Sequence, residues 1–139
     1  MKKQNWVLLL AVWVLAAGSV YAQFSLANHI EANVPFDFMV GDTLFPAGQY
    51  TVGPIAEQTT LVIKSVKDTR SKFMISQAAV ANKPQETSKL VFHKYGDRYI
   101  LSQIWVQGES RGRELPRTRL EKELASAAQR DSVTIVASK

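Results

Sequence analysis

Between Ile30 and Val40 apolar and polar residues alternate along the chain. Ile30, Ala32, Val34, Phe36, Phe38 and Val40 share one parity, and Glu31, Asn33, Pro35, Asp37 and Met39 the other. A period of two with one apolar parity is a half-buried strand. Pro35 has no N–H for a ladder, so the pattern predicts an edge strand or a break there. Gly41-Asp42 marks a turn. Pro46-Ala47-Gly48 predicts a second turn, opening into a strand that carries Tyr50 and Val52 on one face. Gly53-Pro54 is expected to end it. Two further strands are expected over 59–66, which is rich in β-branched residues, and over 72–80.

The strongest local signal is a hairpin over 89–106. Gly96-Asp97 lies between two apolar runs, with Gly where a two-residue turn needs positive φ. That register pairs Tyr95 with Arg98, Lys94 with Tyr99, Phe92 with Leu101 and Leu90 with Gln103. It puts Leu90, Phe92, Tyr99, Leu101 and Trp105 on one face, and Val91, His93, Tyr95, Ile100 and Ile104 on the other. Both faces are largely apolar, which predicts a second layer behind the sheet. Residues 108–116 read as a polar loop. Thr118-Arg119-Leu120-Glu121 has capping-box spacing, and Leu120, Leu124 and Ala127/Ala128 recur at helical spacing to about Arg130. A last strand is expected over 133–136. The expected fold is mainly β: six or seven antiparallel strands in a small sandwich or barrel, with one helix close to the C-terminus.

The N-terminus follows a different pattern. Lys2-Lys3 precede 12 uncharged residues, Trp6 to Ala17, and then Val20-Tyr21-Ala22. This is the order of a secretory signal peptide, with cleavage expected after Ala22. The run is shorter than the roughly 20 residues of a spanning helix. The expectation is a signal peptide over 1–22 and one β-rich domain over 23–139, exported to the periplasm or medium. The membrane would be a partner only through an uncleaved signal segment. With no cysteine in the chain, neither a disulfide nor a thiolate metal site can form. Removing Lys2 and Lys3 from the 17 basic residues leaves 15 against 12 acidic, a net charge of +3. So mild and mixed a charge argues against nucleic acid as a partner.

Candidate chemistry is sparse. His29 and His93 show no metal-ligand spacing, so no metal or other cofactor is expected. Ser102 lies diagonal to His93 in the hairpin, but no GxSxG occurs and no acid can be assigned to complete a triad. His93 therefore reads as a hydrogen-bonded structural residue. Glu121 and Glu123 read as helix cap and solvated side. Arg111, Arg113, Arg117, Arg119 and Lys122 form one basic cluster, interleaved with Glu109, Glu114, Glu121 and Glu123. A self-compensated surface is the plain reading, and an anion-recognising edge the sharper one. Tyr99 and Trp105 could form an aromatic platform, although their expected face points to core packing. The ligand-binding candidates are thus His93, Tyr99, Trp105, Arg111 and Arg113.

The segments Val34-Pro35-Phe36-Asp37-Phe38, Phe45 to Val52, Lys89 to Asp97 and Gly112-Arg113-Glu114-Leu115 resemble a family of small exported proteins of unknown function, common in soil bacteria of the acidobacterial type. The resemblance spans about Ile30 to Ala137. It implies export and a single β-rich domain, and supplies no site residues. The expected function is a non-enzymatic binding or scaffold module of the cell envelope. The alternatives are a lipocalin-like carrier of a small apolar ligand and a hydrolase centred on His93.

Overall fold

The structure, a computed structural model, describes residues 29–55 and 57–138. The signal segment and its cleavage point lie outside them. In chain order the elements are β1 (Ile30–Val34), β2 (Phe38–Val40), β3 (Thr43–Phe45), β4 (Gly48–Ile55), β5 (Glu57–Ser65), β6 (Ser71–Ile75), β7 (Gln77–Val80), β8 (Ser88–Tyr95), β9 (Arg98–Trp105), β10 (Arg111–Glu114), α1 (Arg119–Ala127) and β11 (Arg130–Ala137). One sheet has the order β1-β4-β5-β6, the other β11-β8-β9-β10-β7. The β2–β3 hairpin joins the second sheet through a parallel pairing of Met39 with Ile100. The fold is mainly β and mostly antiparallel, consistent with a small sandwich, with one short helix near the C-terminus.

Alternation decides the core. Ile30, Ala32, Val34, Phe38 and Val40 are buried, and meet Tyr50, Val52, Leu61 and Ile63 from the first sheet and Leu90, Phe92 and Leu101 from the second. Phe38 packs edge-on against Tyr50 at 5.2 Å and Phe92 at 5.3 Å between ring centroids. Pro35 breaks the expected long strand into β1 and β2. The Pro46 turn is clasped twice: Tyr50 Oη donates to the Pro46 carbonyl at 2.5 Å, and the Ala47 amide to Asp37 Oδ1 at 2.9 Å.

Several boundaries differ from expectation. Gly53-Pro54 does not end β4, which runs on to Ile55. β1 pairs it only as far as Val52, so Pro54 sits where that ladder edge has no partner to lose. The polar loop over 108–116 contains a strand, β10. Its pairing with β7 and β9 is a matter of backbone, which its charged side chains do not oppose. The hairpin keeps three of its four expected pairs, but Leu90 pairs with Ile104. A bulge at Ser102 adds one residue to β9 and reverses the parity beyond it. Ile104 therefore enters the core and Trp105 leaves it.

The two sheets connect at both sides. On one, Glu31 and Ser138 exchange backbone hydrogen bonds of 2.8 and 2.9 Å, tying β1 to the end of β11. On the other, a single run of chain is shared: residues 71–75 pair with β5 and residues 77–80 with β10. Ser76 is the crossing point. The single strand expected over 72–80 thus serves two sheets.

Candidate functional site

Glu121 lies in the first turn of α1 and is the helix's only fully buried residue. Thr118 Oγ1 accepts the Glu121 amide at 3.2 Å, which is half of a capping box. The carboxylate does not return to the cap. Its Oε1 lies 2.7 Å from His93 Nδ1 and accepts from Tyr95 Oη at 3.0 Å. The expectation that Glu121 is a solvated cap residue is corrected here, as is the absence of an acidic partner for His93. The reason is β8 parity: His93 and Tyr95 stand on the outer face, and the helix start is laid over them.

A buried carboxylate without donors would be costly, and two donors on one oxygen offset that cost. Burial pushes the Tyr95 hydroxyl above its usual pKa, and the hydrogen bond to Glu121 and that residue's charge push it further, against a smaller opposing effect of Arg117. An imidazole oriented by a carboxylate is one half of a general-base pair. Among the described residues, however, Glu121 is the only side chain hydrogen-bonded to His93, and Ser102 is not engaged by it.

Beside this cluster runs a groove of about 300 Å³. Lys72 to Ile75 of β6 form one wall. Leu115, Pro116 and Thr118 form the other, with Ile100 and Leu101 also lining it and Glu121 at its edge. It exists because the chain diverges after β10. Leu115 donates its amide to the Ser102 carbonyl at 2.8 Å instead of continuing beside β6. The Ser65–Arg70 and Ser76–Thr59 backbone bonds show that even-numbered residues of β6 face β5. Ser71, Phe73 and Ile75 therefore aim their N–H and C=O groups away from β5, toward the groove, and no described strand pairs with them. Their side chains are exposed as well, Phe73 by 66% and Ile75 by 76%. At the far end Lys72 Nζ binds Asp42 Oδ1 at 2.8 Å and Thr43 Oγ1 at 2.6 Å. The hydrogen bond from Lys72 is the chief cause holding the Asp42 carboxyl below its usual pKa.

The sequence candidates are not brought together. His93 sits under α1. Tyr99 stacks on Phe36 at 3.8 Å, with Lys94 Nζ 5.5 Å from its ring centroid. Trp105 is buried on the outer face against Gly112 and donates from Nε1 to Gln103 at 3.1 Å. Its core packing with Leu90 and Phe92 is therefore corrected to the opposite face, and no aromatic platform with Tyr99 forms. Arg111 and Arg113 line a separate pocket between the sheets. Sequence reasoning missed Phe73 and Ile75 as exposed edge residues. Their parity was readable, but not which strand would lack a neighbour.

Comparison of the chain with protein-family models, curated proteins and solved structures finds no match in any of the three.

Proposed function

We propose that this is an exported, non-enzymatic binding module of the cell envelope, which holds an extended segment of a partner protein against β6. One observation carries the reading: an unpaired strand edge forms the wall of an apolar groove. Free N–H and C=O groups at strand spacing are complementary to another extended backbone, and an apolar groove beside them gives its side chains somewhere to go. The Lys2-Lys3 start, the apolar run and Val20-Tyr21-Ala22 support export, as does the family resemblance.

The test is a heptapeptide selected from a random display library against the exported protein. On binding, amide exchange at Ser71, Phe73 and Ile75 should slow at least tenfold. Phe73→Pro removes one outward N–H without touching the β5 ladder, and should abolish capture. Failure to select any peptide, or equal capture by Phe73→Pro, would overturn the reading. Export is tested separately by N-terminal sequencing, which should begin at Gln23. Retention of residues 1–22 on the exported species would refute cleavage.

A further inference from the structure

Arg111 and Arg113 stand two apart on β10 and line one pocket, with Gly112 between them turned to Trp105 on the opposite face. The pocket opens between the two sheets and holds about 160 Å³. Gly53, Pro54, Leu61, Ala78, Ile104 and Val106 supply an apolar lining. Arg113 is half-buried. Its Nε donates to Ser76 Oγ at 2.9 Å and its Nη2 to the Ser76 carbonyl at 2.7 Å. Ser76 Oγ in turn donates a hydrogen bond to the Thr59 carbonyl at 2.9 Å. The guanidinium is thus fixed at the strand crossing by neutral groups alone. The ion pairs among the described residues are Lys72–Asp42, His93–Glu121 and Arg119–Glu123, and none includes Arg111 or Arg113. Glu109 lines the same pocket without reaching either one.

Two hydrogen bonds to neutral groups return only part of the solvation that the half-buried cation loses, and none of the described residues supplies Arg113 with a counter-charge. That cation, with the exposed Arg111 beside it on the rim of a largely apolar cavity, describes a ligand with one anionic end and an apolar body. We propose that this pocket binds a small monocarboxylate carrying an aromatic ring or a short alkyl chain. The Ser76 contacts occupy one side of Arg113 and leave its other terminal nitrogen free. That nitrogen is available to one carboxylate oxygen, and Arg111 stands two residues along the same strand on the same pocket. The volume fits the body, since an apolar cavity of about 150 Å³ accepts benzene.

Benzoate and its neutral isostere benzamide are the probes, read by NMR shifts of the Leu61 and Ile104 methyls in the exported protein. Benzoate should saturate at about 1 mM, the scale for so small a ligand, and benzamide should bind at least tenfold more weakly. Arg113→Gln should cost at least tenfold in benzoate affinity. Ala78→Trp, which fills the mouth and keeps both arginines, should abolish binding, and serves alone if the Arg113 variant does not fold. Equal binding of benzoate and benzamide would overturn the proposal. So would full affinity in Ala78→Trp, or no saturation by about 50 mM.

Discussion

Two glycines are required for opposite reasons. Gly96 turns the β8–β9 hairpin at φ +63°, and a Cβ there would meet nothing within 4 Å. The cost of replacing it is therefore backbone strain alone. Gly96→Val should lose roughly 1–3 kcal/mol, and Gly96→Asn less, because Asn tolerates the left-handed region. Gly112 has room in its dihedrals but not around them: a Cβ would lie 2.6 Å from the Trp105 ring and 2.8 Å from the Ile104 carbonyl. Gly112→Ala should cost about 1–3 kcal/mol through displacement of the indole. Once residues 1–22 are removed Trp105 is the only tryptophan, so its fluorescence reports the shift directly. Denaturant melts of the three variants check the order. Tyr95 makes a pH prediction. Its hydroxyl keeps its proton to higher pH in the native state than in the unfolded chain. The associated stability is complete below the unfolded pKa, near 10, and is lost as pH rises through the native value. Tyr95→Phe should cost about 1 kcal/mol at pH 7, one hydrogen bond to Glu121. It should also flatten the alkaline decline that sets in above about pH 10. Tyr50, likewise raised by burial, leaves part of that decline in place. Parallel urea melts at pH 7 and pH 11 measure both effects.

At the scale of elements, legibility followed periodicity. β1 and β2 were readable because one parity is apolar and one face is buried, and β8 and the first half of β9 because Gly96-Asp97 sets a register between two apolar runs. β10 was not, because Arg111 and Arg113 carry no apolar signal and the strand is held by ladder bonds to β7 and β9. The bulge at Ser102 also left no trace in composition: one inserted residue among apolar neighbours reverses a face without changing residue types. It cost the sequence reading the sides of both Ile104 and Trp105. The helix was found from its cap and its Leu120–Leu124 stripe. Its anchor was hidden, because Glu at that position of a capping box has a local partner available. Only the placement of α1 over His93 and Tyr95 shows that the carboxylate goes elsewhere. The candidate groove was not legible at all, since it arises where the chain after β10 leaves β6, a long-range event.

For the whole molecule, the Glu31–Ser138 pairing joins the two sheets on the side away from the shared β6–β7 strand. Ser138→Pro removes the amide that donates to the Glu31 carbonyl. It should lower stability by about 0.5–1.5 kcal/mol, the net worth of one such bond. Hydrogen exchange at Glu31 should accelerate while that of Leu90 and Phe92 stays slow. Uniform acceleration across the core would show instead that the pairing is integral to the cooperative unit.

That same pairing also sets a schedule. Residue 31 cannot meet its partner until residue 138 has been synthesised, and β8 likewise waits for β11 across the intervening helix. A ring of neighbours closed by its most distant members belongs to the slow-folding topologies. During synthesis, therefore, the growing polypeptide has no complete native state to fall into. Until residues 130–138 have emerged, the outer edge of β8 and the open side of β1 stay without their native neighbours, and the sandwich is left unclosed.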